Sequence, residues 1–466
     1  MKELLLPLAC GMLLLCRAHS ATGEVGGGGG GWPRLAELVV ERGLPNGLKV
    51  IMLPNPKAPV ISFQVWYRVG ERNEELGRTG LSHLLEHMMF KGTKNIGPEQ
   101  FSRIIQEHGG NNNAFTSADF TACFENMAAD EIGTAIDLEA DRMANLLLRQ
   151  EDFETERKVV IEERLLRTED NPEALLLENL SAAAYKAHPY GWPVIGWLND
   201  IEKLTIDDLR AYHHTYYPVN NAFVVVVGDF DPEAMFSRVE RSFGCMDPRP
   251  QPPAVRAVEP PQTGERALEL KVPARLPTVA WGYHVPNLSE PDGYVLEVIQ
   301  AILSSGESSR LRMNLVRKGL AVDSSADFSL LSKDPGLFCV VSQVMPGKEA
   351  AEVAQAMEKE LARLKDEPVG DTELAKAKNQ LEAGFIRGQD SLFYQGMLLA
   401  MYENTIGWQA VDQYVPAIRK VTARDIQAAA AKWFSADNRT AAILKPLPRG
   451  EEPAPEGMNA GHKVMP

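Results

Sequence analysis

Two stretches of this chain run in one register 217 positions apart. Thr155 and Glu156 reappear as Thr372 and Glu373; Thr205, Asp208 and Ala211 reappear as Thr422, Asp425 and Ala428; Asn221 reappears as Asn438. The apolar positions Leu204, Leu209 and Tyr217 correspond to Val421, Ile426 and Phe434. A register held over 67 residues, Thr155 to Asn221, implies duplication of a domain of about 200 residues. Proline-rich residues 245–262 cannot sustain helix or sheet and serve as the linker between halves. The first half then covers residues 35–244 and the second residues 263–446.

Each half mixes strand and helix patterns. Leu48–Met52, Val60–Tyr67 and Phe223–Val227 are runs of strand type, and Asn46-Gly47 makes a turn before the first. Helical patterns lie between them, at Gly80–Phe90, Pro98–His108, Asp130–Arg149 and Asp152–Arg167. The expected fold class is therefore α+β: two homologous domains, each a mostly antiparallel sheet covered by helices on one face, together forming a two-halved chamber.

The ends of the chain are read apart from the fold. Lys2 precedes a 13-residue apolar run, Leu4 to Cys16, with small residues ahead of Ala21. That run falls short of the ~20 residues of a membrane span and predicts a secretory signal peptide over 1–20. Leu13-Leu14-Leu15-Cys16 loosely matches a lipoprotein acylation site, but bulky Leu15 before Cys16 opposes that cleavage. The expected location is secreted, in the periplasm of a Gram-negative bacterium, with no transmembrane segment. Residues 21–34 are a Gly-rich tether, and residues 447–466 a Pro- and Glu-rich tail. With 63 acidic residues against 48 basic ones, the chain lacks the excess of basic residues that nucleic-acid binding needs. Cys123, Cys245 and Cys339 form no CxxC pair and are expected as small core residues.

One pentapeptide carries chemistry. In His83-Leu84-Leu85-Glu86-His87, positions i, i+3 and i+4 share one helix face, so the three polar groups converge while Leu84 and Leu85 turn to the core. Two imidazoles one turn apart suit one Zn²⁺, and the carboxylate between them can take a proton from the attacking water. The spacing H-x-x-E-H is that of the inverted zinc peptidases. A third protein ligand is required, and Glu156, Glu162 and Glu163 on a downstream helix offer it; Glu156 and Glu163 share a stripe with Val159 and Val160.

The chain resembles the insulin-degrading-enzyme and pitrilysin family of zinc peptidases. It is most similar to the subgroup holding the mitochondrial processing peptidase β subunit and its bacterial relatives. The segments that carry the resemblance are Leu44–Val50, Gly80–Thr93, Asn113–Ser117, Glu156–Glu163 and His188–Pro193. In that family the third ligand is a glutamate about 76 residues after the second histidine, and Glu163 lies 76 after His87. The resemblance thus implies His83, His87 and Glu163 as zinc ligands, Glu86 as general base and Glu156 as the carboxylate that orients a ligand histidine. It places Asn113 and Ala114 on the strand that pairs with extended substrate; alternation over Ala114–Phe120 supports a strand there. In the second half Gln380 stands opposite Glu163, and Val295–Ser304 holds no histidine, so no metal is expected. Relatives use an Arg and a Tyr from this half to hold substrate. Arg317 takes the arginine position, but Val322 stands where the tyrosine should be.

These readings combine into one expectation: a secreted zinc metalloendopeptidase, one Zn²⁺ per chain, acting on unfolded oligopeptides. A homologous subunit supplying the missing Arg–Tyr pair would make it the catalytic half of a heterodimer. The alternative is a peptide-binding or scaffold subunit with little hydrolysis of its own.

Overall fold

The computed structural model describes residues 34–447. The signal peptide, Cys16, nearly all of the Gly-rich tether and the tail beyond Leu447 lie outside the described residues. Six strands build the first sheet: β1 (Val40–Gly43), β2 (Lys49–Pro54), β3 (Val60–Tyr67), β4 (Asn111–Thr116), β5 (Thr121–Ala128) and β6 (Ala222–Gly228). Five build the second: β7 (Arg266–Pro273), β8 (Thr278–Val285), β9 (Ala321–Asp327), β10 (Gly336–Val344) and β11 (Arg439–Leu447). The strand orders are β1-β2-β6-β3-β5-β4 and β7-β11-β8-β10-β9. Without β1 the two orders are identical, each with one parallel pair (β2/β6, β7/β11) in an otherwise antiparallel sheet.

Local chemistry repeats as well. Thr205 and Asp208 form a capping box at the helix Ile206–Tyr216, and Thr422 and Asp425 form the same box at Ala423–Trp433. Asn221 Nδ2 donates to the Tyr216 carbonyl at 2.7 Å, and Asn438 Nδ2 to the Trp433 carbonyl at 2.8 Å. The two halves are thus copies at the level of single hydrogen bonds.

Successive residues of a strand face opposite sides of its sheet, and β6 shows it. Val224 and Val226 join the core with Leu84, Leu85 and Met88 of the first half's own helices. Phe223, Val225 and Val227 join a different core that contains Met397 and Leu398. Those two residues belong to the helix Leu392–Thr405 of the second half, so each face of the first sheet has its own helical cover. The exchange is reciprocal: Leu176 and Leu180, on the helix Pro172–Ala184 of the first half, pack on Ala280, Ala442 and Leu444 of the second sheet. Helices of the same half cover one face, as the patterns predict; the opposite face is closed by the partner half.

A glycine allows the closest approach. A Cβ at Gly396 would lie 2.4 Å from the Gln64 amide nitrogen. That amide is fixed by bonds to Ser62 Oγ and to the Phe393 carbonyl, at 3.1 and 3.0 Å. Polar contacts also join the halves. Asp119 accepts from the Lys333 backbone at 2.8 Å, and Arg72 pairs with Asp334. Among the described residues no helix is long and apolar enough to cross a membrane.

Candidate metal centre

The pentapeptide lies on the helix Leu81–Met88. Its start is set by Gly80, at φ 91°, where a Cβ would come within 2.6 Å of the Ile195 carbonyl. Buried Glu74 completes the N-terminus. One oxygen accepts the Gly80 N–H and the other the Ser82 N–H, each at 2.7 Å, and burial pushes its carboxyl up to about 8. Leu84 and Leu85 are fully buried, which turns His83, Glu86 and His87 away from the core.

The helix Gln150–Arg164 runs past this face and brings up Glu163. Ligand atoms of His83, His87 and Glu163 all lie within 4.8 Å of one another. His83 Nε2 is 3.8 Å from Glu163 Oε1, and His87 Nε2 is 3.3 Å from Glu163 Oε2. Glu156, two turns earlier, meets His87 Nδ1 at 3.2 Å and Lys91 Nζ at 2.7 Å. The other candidate, Glu162, is outside the cluster.

The electrostatics separate the two imidazoles. Burial, with the charges of His87 and Arg167, lowers His83 to about 4, so it is neutral and its lone pair is free. Burial acts the same way on His87, but the carboxylates of Glu156 and Glu163 outweigh it and raise the ring to about 9. Glu163 and Glu156 are held below the usual carboxylate range: burial opposes this, and the bond to His87 with neighbouring cations prevails. Glu86 is pushed up by burial against the pull of Thr116, whose Oγ1 donates to Glu86 Oε2 at 2.6 Å.

Two neutral-capable nitrogens and one carboxylate, converging on a point with the carboxylate of Glu86 beside them, fit a divalent zinc ion with one position left open. Glu156 fixes Nδ1 of His87 and leaves Nε2 for the metal, the carboxylate–histidine arrangement of metal sites. His83 Nδ1 departs from that pattern, being buried without a hydrogen-bond partner among the described residues.

Asn113 and Ala114, expected on the strand that meets substrate, lie where the sheet ends. β4 pairs with β5 on one side only. Asn113 is exposed and Ala114 buried, and the Ala114 N–H is taken by the Asn113 side chain at 2.9 Å rather than by the ladder. The strand stops at Thr116; Ser117–Phe120 is a turn in which Ser117 Oγ accepts from the Asp119 and Phe120 backbones, at 3.1 and 3.2 Å. Arg317 is brought to none of this. Its side chain is 54% exposed and pairs with Glu307 at 3.4 Å. Val322 is 41% exposed on β9, the free edge of the second sheet.

Two residues escaped sequence reading. Glu74 stands outside the pentapeptide, and Thr116 is 30 residues from Glu86 in sequence. Alternation put Thr116 on the same face as Ala114, but nothing local says which face meets Glu86. In the second half Arg310 binds Glu373, the counterpart of Glu156, through two bonds of 2.9 and 2.8 Å. Arg310 is thus the cationic partner of Glu373, where Glu156 has His87 and Lys91.

Comparison with known proteins identifies the family. Residues 49–196 match the domain described as insulinase (peptidase family M16), and residues 203–381 the peptidase M16 inactive domain. The zinc protease PqqE of Helicobacter pylori is 32% identical over 407 residues, spanning 86% of this chain and 92% of that protein. The chain belongs to the M16 (insulinase) family. An uncharacterised zinc protease of Mycobacterium leprae is 30% identical over 412 residues, spanning 86% of this chain and 91% of its own length. The crystal structure of a protease from Helicobacter pylori superposes with a TM-score of 0.85 at 32% identity, over 88% of this chain and 99% of that one.

Proposed function

We propose that this protein is a secreted zinc metalloendopeptidase acting on unfolded oligopeptides. The observation that carries the reading is the convergence of His83, His87 and Glu163 within 4.8 Å, with Glu86 on the same helix face. His83, His87 and Glu163 would hold zinc, which when bound supplies Lewis acidity to the water and the scissile carbonyl. Glu86 takes the proton of the attacking water and passes it to the leaving amine, and its burial-raised affinity for protons suits that traffic. Thr116 keeps the Glu86 carboxylate aimed, and Glu156 keeps the His87 ring aimed.

Substrate enters as an added strand on the open edge of β4, beside Asn113 and Ala114. Backbone pairing of this kind asks for an extended chain and tolerates many side chains. It also requires the Asn113 side chain to release the Ala114 N–H. Secretion is supported by the leader-like residues 1–20. A heterodimer is supported by Val322, which cannot donate to an oxyanion, and by Arg317, which is engaged with Glu307.

Metal analysis tests the reading. Purified chain is expected to carry about one zinc, and His83→Ala and Glu163→Gln each to lose most of it. Stoichiometric, tightly held zinc in His83→Ala sinks the ligand assignment. Adding a homologous subunit with the Arg–Tyr pair should raise the rate; a chain at full rate alone, unmoved by that partner, removes the heterodimer.

A further inference from the structure

Arg167 follows the ligand helix, one turn beyond Glu163, within the π-helical turn Leu165–Glu169. Single π turns inside helices occur often at functional sites. Its Nη1 is 2.5 Å from Glu163 Oε1, the oxygen that also faces His83 Nε2 at 3.8 Å. The guanidinium therefore stands at the rim of the ligand set, and its charge reaches His83, Glu86 and Glu163. The side chain is 35% exposed, so the rim is open to a ligand. A guanidinium carries five N–H donors. Among the described residues the contact with Glu163 is the only one Arg167 makes to an acceptor. Donors without acceptors thus lie beside the reacting position, in a chain where the other half offers Val322 and an engaged Arg317.

We propose that Arg167 is a catalytic residue whose spare donors bind the oxygen of the scissile carbonyl as it becomes an oxyanion. The proposal rests on the peptidase reading above. In the step concerned, the water oxygen bonds to the carbonyl carbon and the π pair of C=O moves onto the carbonyl oxygen. The water proton goes to Glu86; when the oxyanion collapses, the C–N bond breaks and that proton leaves with the amine. Arg167 contributes charge and direction only, and takes no part in the proton transfer.

The test compares wild type, Arg167→Gln and Arg167→Lys, all loaded with zinc. Three quantities are read: zinc content, kcat and KM on an internally quenched peptide, and Kd for a phosphinic peptide, an anionic mimic of the tetrahedral species. The phosphinic peptide is used with a free and with an amidated C-terminus. Expected for Arg167→Gln are unchanged zinc, KM within about threefold, and kcat lower by ~10²–10³, the usual cost of one oxyanion donor. Both phosphinic peptides should bind more weakly by a similar factor, and Arg167→Lys should recover part of the loss. Unchanged phosphinic affinity in Arg167→Gln overturns the proposal. So does loss of zinc together with activity, which would make Arg167 a residue that only positions Glu163. Weakening confined to the free C-terminus assigns Arg167 to the substrate's terminal carboxylate and also overturns it. Failure of the peptidase reading looks different: wild type itself would then neither retain zinc nor hydrolyse peptide, and the proposal would fall with it.

Discussion

Replacing Leu180 with alanine tests whether the reciprocal helix exchange makes the halves one cooperative unit. Leu180 is fully buried and rests on the second sheet among Ala280, Ala442 and Leu444. The surface beneath it is flat, since a Cβ at Gly282 would already lie 3.6 Å from Leu180 Cδ2. Strand backbone and small side chains cannot move in to fill the space. The loss should fall in the upper part of the range for buried leucines, ~3–5 kcal/mol. Unfolding entropy is ~2.1 cal/mol/K per residue, so spread over residues 34–447 that loss lowers Tm by about 3–6 °C. Were the second half to unfold by itself, with about 180 residues, the same loss would shift its transition by about 8–13 °C. Calorimetry at fixed zinc distinguishes the two. One endotherm, moved by the smaller amount, is expected. Two endotherms, one displaced by the larger amount and one unmoved, would refute the coupling.

Three more outcomes follow from single contacts. Thr116→Val removes a bond to the Glu86 carboxylate worth ~1.5–3 kcal/mol, so kcat should fall by about ten- to a hundredfold with zinc retained; an unchanged kcat means that Thr116 does not aim Glu86. Glu156→Gln should weaken zinc by about ten- to a hundredfold, read in a competition titration with a chelator; equal affinity would show that His87 needs no orienting carboxylate. Burial pushes the Glu297 carboxyl up to about 7 despite a hydrogen bond from Tyr414. A raised carboxyl stabilises the fold when protonated, and that contribution is present below about pH 4.5 and lost as pH rises through about 7. Wild type should therefore lose thermal stability between pH 5 and 8 by a component absent from Glu297→Gln, and parallel pH profiles would contradict the assignment.

What could be read in the sequence follows the range of the interactions. The convergence of His83, Glu86 and His87 was legible because i, i+3 and i+4 on one helix fix their relation without any tertiary information. The capping boxes at Thr205 and Thr422 are likewise local, which is why the duplication could be traced through them. Thr116 was not legible, because its meeting with Glu86 depends on how the β4 edge docks against the motif helix. Strand pattern also ran on too far: Ser117 alternates correctly, yet its hydroxyl binds the next backbone N–H groups and turns the chain. The helix Pro172–Ala184 shows apolar residues, but no periodicity says that the surface they cover belongs to the other half. Arg310 was not legible either, since its pairing with Glu373 spans 63 positions.

The central claim is that Glu86 performs proton transfer in a zinc peptidase, and one variant addresses it most directly. Glu86→Gln keeps the side chain's size and its place beside Thr116 but removes the base, while leaving His83, His87 and Glu163 untouched. Zinc content and hydrolysis of an unfolded, internally quenched peptide should be measured on the same preparation. The account predicts about one zinc per chain in the variant, peptide still bound, and hydrolysis lower by at least ~10²-fold. A variant that holds zinc and cleaves the peptide at the wild-type rate would contradict it.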